Sequence, residues 1–95
     1  FSLKIVYKTI AEEFMKITVY STTTCPYCVM LKNWLDSKSI EFTNYMVDQN
    51  PIAAQNMINL SGQMGVPFST IEYDDGKVEK ILGFDRPRFE AALVK

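Results

Sequence analysis

Residues 17–28 have the sequence ITVYSTTTCPYC, and this stretch decides which fold the chain can adopt. Its first residues alternate so that Ile17 and Val19 share one face, which is typical of a β-strand. The polar run that follows breaks the pattern. Pro26 suits the first turn of a helix, where its missing N–H costs nothing. The stretch therefore predicts a strand, a short loop and a helix with two cysteines near its start.

The helix predicted from Pro26 onward has one apolar stripe. Cys28, Leu31 and Leu35 recur at helical spacing, and Trp34 lies beside them. We therefore expect this stripe, including the second cysteine, to face the core.

A second strand and a second helix are predicted next along the chain. Residues 41–47 form the strand pattern, and the sequence DQNP at residues 48–51 supplies a side-chain cap followed by a helix-starting proline. The apolar stripe expected for this helix consists of Ala54, Met57 and Ile58.

The segment after the second helix predicts a β-hairpin. Residues 68–73 form a third strand pattern, and the Asp-Asp-Gly sequence at residues 74–76 is typical of a tight turn. A fourth strand is expected over residues 77–82, with Val78 and Leu82 as its apolar positions.

The last helix is predicted to follow Asp85, which can cap it, and to bury Phe89, Ala92 and Leu93. The order is then β-α-β-α-β-β-α. The first β-α-β unit requires a parallel strand pair with a right-handed crossover, and the hairpin is antiparallel. We therefore predict an α/β fold with a four-stranded mixed sheet flanked by helices.

Length and composition indicate one small globular domain. The chain has 95 residues, 47% hydrophobic and 22% charged, with a formal net charge of -1. This balance offers no basic face for nucleic acid or an acidic membrane. No apolar run reaches the ~20 residues of a membrane span, and no signal peptide pattern is visible. With only two Cys in the chain, we expect the reducing cytoplasm as its setting. We also expect the protein to be a monomer.

The chain divides into an N-terminal extension, residues 1–14, and a domain, residues 15–95. Residues 3–7 are rich in β-forming side chains, so they add a strand at the sheet edge, unless the extension is an expression-vector remnant or a misread start. The extension contains no Cys, and we expect it not to be catalytic.

The two cysteines, Cys25 and Cys28, have the spacing of a redox-active dithiol. Residues three apart in a helix share one side, with Cβ atoms about 5–6 Å apart, so small adjustments allow a disulfide. A helix N-terminus stabilises a thiolate through its free N–H groups, and thiol pKa values there fall to about 3.5–7.5. We expect Cys25 to be the exposed nucleophile and Cys28 to be the buried resolving thiol.

Three other interpretations of the cysteine pair are open. A structural zinc site takes four Cys or His ligands, but this chain has two Cys and no His, so no metal site is predicted. An inert disulfide would close a very short loop and gain little chain entropy. Two ordinary core cysteines do not explain the helix-starting Pro26 between them.

Two further tripeptides are candidates for the same site. Val66 in Gly65-Val66-Pro67 must be extended because it precedes proline, and alone this pattern indicates only a loop before a strand. The sequence GFD at residues 83–85 combines a glycine that permits close backbone approach with a helix-capping carboxylate.

Together these pieces resemble the glutaredoxin family. The sequence YSTTTCPYC at residues 20–28 is similar to the family's first strand and dithiol motif. GQMGVP at residues 62–67 is similar to its cis-proline loop, and GFDR at residues 83–86 to the turn before its last helix. The resemblance covers the chain from about Met15 onward and implies a thioredoxin-like fold.

The resemblance also implies roles for individual residues. Cys25 would attack the target disulfide and Cys28 would resolve the mixed disulfide. Pro67 would be cis beside the dithiol. The groove for substrate or glutathione would be formed by Tyr27, Val66, Pro67, Gly83, Phe84 and Asp85, with the Val66 backbone on the peptide part of glutathione and Asp85 on its glutamyl end.

The sequence departs from the family pattern where glutathione would be recognised. Many glutaredoxins have a Lys just before the active-site segment, whereas residues 21–24 here are uncharged. The usual Thr before Val-Pro is Gly65, and a Gly-Gly pair is replaced by Leu82-Gly83. Lys32 and Arg86 are the cations that could compensate.

The resemblance implies an oxidoreductase that reduces protein disulfides or glutathione mixed disulfides, with no tightly bound cofactor. Its electron donor would be glutathione or, as in some short bacterial relatives, a thioredoxin reductase. An alternative is an iron–sulfur scaffold or carrier that uses Cys25 across a dimer, although Pro26 disfavours it. A redox-inactive binding module is a third hypothesis.

Overall fold

The structure, a computed structural model, describes residues 15–93. Within this range the chain forms four strands and three helices in the predicted order. The elements are β1 Met15–Ser21, α1 Pro26–Ser37, β2 Thr43–Met46, α2 Pro51–Ser61, β3 Phe68–Tyr73, β4 Val78–Leu82 and α3 Arg86–Leu93.

The four strands form one mixed sheet with the order β2-β1-β3-β4. β1 pairs parallel with β2, from Thr18 opposite Thr43 to Ser21 opposite Met46. On its other side β1 pairs antiparallel with β3, which in turn forms the antiparallel hairpin with β4. The strand that leads to the cysteines is therefore paired on both sides.

Helices cover both faces of the sheet, as predicted. β1 places Ile17 and Val19 on one face and Tyr20 on the other, because strand side chains alternate. The first face packs against α1 and α3, and the second packs against α2. The buried residues of the first cluster are Ile17, Val19, Leu31, Leu35, Ile71, Ile81, Phe89 and Ala92, and those of the second are Tyr20, Ala53, Met57 and Phe68.

The helix ends follow the capping signals in the sequence. The Asn50 side chain accepts a hydrogen bond from the Ala53 N–H at 3.1 Å, and Pro51 begins α2. Gly62 ends α2 with a positive φ of 72°, a conformation that glycine adopts without steric cost. At the start of α3, Asp85 accepts from the Arg88 N–H at 3.3 Å.

The second strand is shorter than predicted, Thr43–Met46 rather than residues 41–47. Within residues 15–93, β2 pairs with β1 alone, and β1 offers four residues of parallel register before it ends at Ser21. Phe42 and Val47 still pack against the core from outside the strand. The apolar pattern alone therefore predicts a longer β2 than the structure contains.

Two apolar stripes also differ from the prediction. α2 buries Ala53 and Met57, so its core face is rotated by about one residue from the expected stripe. In β4 the predicted apolar positions, Val78 and Leu82, are exposed, and Ile81 is the core residue. Alternation along the strand decides this, because the face of β4 toward α3 holds Ile81.

The predicted extension, residues 1–14, and the strand expected at residues 3–7 lie outside the described part of the chain. None of the helices within residues 15–93 has the length and apolar character needed to cross a membrane.

Candidate active site

The start of α1 places the two cysteines together. Cys25 is the N-cap residue, with an extended backbone, and Pro26 occupies the first helical turn. The Cys25 Sγ accepts a hydrogen bond from the backbone N–H of Cys28 at 3.1 Å. A sulfur atom thus takes the position that a capping oxygen usually has, at the positive end of the helix dipole.

The two thiols differ in their exposure to solvent. Both are free, with Cys25 partly exposed and Cys28 fully buried. Burial, together with a thiol hydrogen bond to Cys25, raises the pKa of Cys28 to about 11. A backbone hydrogen bond from Thr22 and the charge of Lys32 act in the opposite direction. At neutral pH Cys28 is therefore a protonated, buried thiol, whereas Cys25 is accessible to solvent.

The loop before β3 forms the wall beside the dithiol. The Val66–Pro67 peptide bond is cis, in agreement with the prediction, and Pro67 is fully buried. The thiol of Cys25 points at the carbonyl oxygen of Val66, with Sγ and O 3.9 Å apart. The structure thus brings Cys25, Val66 and Pro67 together as the sequence predicts.

The turn before α3 is joined to this loop. The Gly83 N–H donates a hydrogen bond to the Pro67 carbonyl at 2.7 Å, and its φ of 81° is one that side chains rarely adopt. The carboxylate of Asp85 caps α3. Phe84 packs on Trp34, with ring centroids 6.0 Å apart.

Two exposed apolar side chains belong to the segments that carry the dithiol and the cis-proline. Tyr27, between the two cysteines, is 63% exposed, and Met64 in the loop before Pro67 is 76% exposed. They are available for contact with a bound partner.

Behind the dithiol, a polar network joins α1 to the ends of β1 and β2. The ammonium Nζ of Lys32 lies 3.4 Å from Ser21 Oγ, and the buried Ser21 hydroxyl donates to Asn44 Oδ1 at 2.7 Å. Lys32 was a candidate from the sequence, as a cation able to reach back toward Cys25. Its hydroxyl partner was not predicted, because no local pattern links α1 to the end of β1.

A second missed contact holds the loop that precedes Cys25. Asp48 Oδ2 accepts from both the hydroxyl of Thr23, at 2.7 Å, and its backbone N–H, at 3.1 Å. These two hydrogen bonds lower the pKa of Asp48, and the bond from the hydroxyl has the larger effect. The sequence assigned Asp48 to the helix-capping segment, but Asn50 is the cap and the aspartate fastens the loop across the strand ends.

Other features of the described residues do not contribute to the dithiol site. A concavity of about 530 Å³ between α2 and the sheet contains neither cysteine, and Tyr20, Asn56 and Glu72 are among its lining residues. No group of three or more Cys, His, Asp or Glu side chains that could hold a metal ion occurs within residues 15–93.

Comparison with known proteins identifies the family of the chain. The protein-family model described as Glutaredoxin matches residues 17–71, which is more than half of the chain. The chain therefore belongs to the glutaredoxin family. The matched segment runs from β1 through the dithiol and the cis-proline loop into β3.

Two curated glutaredoxin-family relatives are 37% identical to the chain over their aligned parts. One is a glutaredoxin-like 8.6 kDa protein of the rubredoxin operon of Clostridium pasteurianum, aligned over 83% of this chain and 99% of its own length. The other is glutaredoxin 3 of Escherichia coli K12, aligned over 54% of this chain and 61% of its own length.

A solved glutaredoxin has the same fold. The glutaredoxin of Archaeoglobus fulgidus superposes with a TM-score of 0.67 at 18% identity, over 90% of this chain and 92% of that one. The chain thus has a thioredoxin-like fold of the glutaredoxin type.

Proposed function

We propose that this glutaredoxin-family protein is a dithiol–disulfide oxidoreductase that reduces protein disulfides or glutathione mixed disulfides through Cys25 and Cys28. The observation that carries the proposal is the capping position of Cys25: its sulfur accepts the Cys28 N–H at the start of α1 and stays partly exposed. Hydrogen-bond donors aimed at a sulfur stabilise the thiolate, which is the nucleophile in disulfide exchange.

In the first step the Cys25 thiolate attacks one sulfur of the target disulfide. A bond forms between Cys25 and that sulfur, and the other half of the target leaves as a thiolate and takes a proton from solvent. The Cys28 N–H at the helix start would hold the attacking sulfur in place. The product is a mixed disulfide on Cys25.

In the second step Cys28 attacks the Cys25 sulfur of the mixed disulfide. The Cys25–Cys28 bond forms, the bond to the target breaks, and the second half of the target leaves as a thiolate. The target is reduced to two thiols and the protein is oxidised to a disulfide. Because both cysteines lie in one helical turn, this exchange needs only small movements of α1.

The target would lie across the cis-proline loop. An extended chain on the Val66 backbone would bring its sulfur close to Cys25, since the Val66 carbonyl is 3.9 Å from Sγ. Tyr27 would cover one side of this groove, and the Pro67 and Gly83 backbones would form its base. Phe84 would contribute its backbone, and Asp85 could bind an amino group of the glutamyl end of glutathione.

The oxidised protein needs an electron donor, which we propose to be either glutathione or a thioredoxin reductase. We expect it to act as a monomer in the reducing cytoplasm without a tightly bound cofactor. Oxidised Cys25–Cys28 would be returned to the dithiol by two electrons from that donor.

Reduction of insulin disulfides by the purified protein, with dithiothreitol as electron source, tests the proposal. The wild type should accelerate insulin precipitation over the dithiothreitol background, and Cys25→Ser should return the rate to background. A wild type no faster than background would contradict the proposal. A coloured protein after anaerobic purification would instead favour the cluster-carrier hypothesis.

A further inference from the structure

Lys32 lies on the same helix as the resolving cysteine, about one turn after it. It follows Cys28 by four residues on α1, so the two side chains lie on the same side of the helix. Its ammonium is 3.4 Å from the hydroxyl of Ser21, the last residue of β1. The next residue, Thr22, makes a backbone hydrogen bond to Cys28. The end of β1 therefore contacts both groups: Ser21 faces the Lys32 ammonium, and Thr22 is hydrogen-bonded to Cys28.

The buried position of Cys28 creates a chemical problem for the second step. A thiol must lose its proton before it attacks, and full burial opposes the charged form. A negative charge on Cys25 raises the pKa of Cys28, and the positive charge of Lys32 lowers it. In the mixed disulfide Cys25 carries no charge, so within residues 15–93 Lys32 is then the side-chain charge left to favour the Cys28 thiolate.

We propose that Lys32 is a positioning residue for the second step: its ammonium, held at the end of β1 by Ser21, stabilises negative charge on Cys28 as Cys28 attacks the Cys25 sulfur. This rests on the proposed dithiol function and adds a residue to it. The bond changes are those of the resolving step, and the proton of Cys28 passes to solvent or to the departing thiolate of the target.

The surrounding charges leave the ammonium available. Lys32 forms no ion pair within residues 15–93, where the two recorded pairs involve arginines. Asp48, in the loop after β2, has its carboxylate engaged by Thr23. Asp36 lies one turn further along α1, away from the dithiol. The network of Ser21 with Asn44 fixes the hydroxyl that faces the ammonium.

A two-phase assay separates the two chemical steps. The reduced protein is mixed with dithiobis-nitrobenzoate, a chromogenic aryl disulfide. One equivalent of coloured thiolate is released when Cys25 attacks, and a second is released when Cys28 resolves the mixed disulfide. Both phases are followed by stopped flow across a range of pH in the wild type, Lys32→Met, Lys32→Gln and Lys32→Arg.

The neutral variants should slow the second phase about tenfold at neutral pH and move its pH midpoint upward by about one unit, because the Cys28 thiolate loses a nearby positive charge. Lys32→Arg should restore most of the rate. The first phase should change much less than the second. Lys38→Met, at the other end of the same helix, is the matched control and should match the wild type in both phases.

An unchanged second phase in Lys32→Met and Lys32→Gln would overturn the inference while leaving the dithiol function intact. A rate in Lys32→Arg as low as in Lys32→Met would also overturn it, because the positive charge would then not be the cause. A wild type that releases no second equivalent would contradict the dithiol function itself.

Discussion

The backbone N–H of Cys28 donates to the Sγ of Cys25 across 3.1 Å, so the resolving residue helps to hold the nucleophile. The same helical turn leaves the sulfur of Cys25 partly exposed and buries that of Cys28 completely. The two side chains are chemically identical, but this hydrogen bond and the difference in burial make Cys25 the expected nucleophile and Cys28 the expected resolving thiol.

Cys28→Ser should trap the target on Cys25 as a stable mixed disulfide, because no second thiol remains to displace it. Mass spectrometry after incubation with a disulfide-bonded peptide should find the adduct on Cys25. In the wild type, brief alkylation at mild pH should modify Cys25 before Cys28, since only Cys25 is accessible. Alkylation of Cys28 first would reverse the assigned roles.

Burial of Cys28 should make the reduced protein lose stability at alkaline pH. Its pKa is raised to about 11 in the folded state, above the ordinary thiol value of about 8.5, so the unfolded chain releases this proton first. The contribution is intact below about pH 8.5 and is lost as pH rises toward 11, by up to about 3 kcal/mol.

Urea unfolding under reducing conditions, between pH 8 and 11, measures this loss. Tyr20 and Tyr73 also have raised pKa values, mainly because of burial. Their ionisation will add to the loss of stability with pH above about pH 10. The difference between wild type and Cys28→Ala isolates the thiol. Parallel pH profiles for the two proteins would contradict the prediction.

Thr23→Val should raise the pKa of Asp48 toward its ordinary value. The variant keeps the shape of the side chain but removes the hydroxyl that contributes most to the lowered pKa. Because the folded-state pKa is lowered, the contact supports stability above the unfolded value of about 3.9 and is lost as pH falls through the lower folded value. Titration of the carboxyl by NMR measures the change, with Thr24→Val as control.

Glutathione should bind weakly and should not be the strongly preferred electron donor. Both candidate cations are directed elsewhere: the Lys32 ammonium faces Ser21 at the end of β1, and Arg86 pairs with Glu90 at 3.4 Å and lies over Trp34. A missing charge-assisted contact to a carboxylate, about 1.5–3 kcal/mol, lowers affinity roughly 10- to 100-fold.

Steady-state turnover with glutathione and its reductase, set against turnover with thioredoxin reductase, tests this preference. Thr22→Lys places an ammonium in the uncharged stretch before Cys25 and should lower the KM for glutathione by about tenfold, one recovered contact of about 1.4 kcal/mol. Saturable turnover at low glutathione in the wild type, with none from thioredoxin reductase, would show that the preference is the opposite.

Adjacent residues of β4 should differ sharply in their contribution to stability. Ile81 is fully buried and Leu82 is 54% exposed, although their side chains are similar in size. Ile81→Ala should reduce the free energy of unfolding by about 2–5 kcal/mol, and Leu82→Ala by about 0.5 kcal/mol or less. Chemical denaturation of both variants makes the comparison, and a larger loss for Leu82→Ala than for Ile81→Ala would mean that β4 has the opposite face inward.

Features that depend on neighbours along the chain were predictable from the sequence. The helix start at Pro26, the apolar stripe of Cys28, Leu31 and Leu35, and the capping role of Asp85 were all predicted and are present. Capping and helical periodicity involve residues within four positions of one another, so a local pattern carries the information. The dithiol spacing is local for the same reason.

Packing between elements determines which faces of β4 and α2 point inward and how far β2 pairs. It also determines which side chains from different elements come into contact. The contacts of Lys32 with Ser21 and of Asp48 with Thr23 join residues 11 and 25 positions apart. Such pairs form because β1 and β2 end at the same edge as α1 begins. Packing between elements sets that arrangement, and no pattern within a single element encodes it.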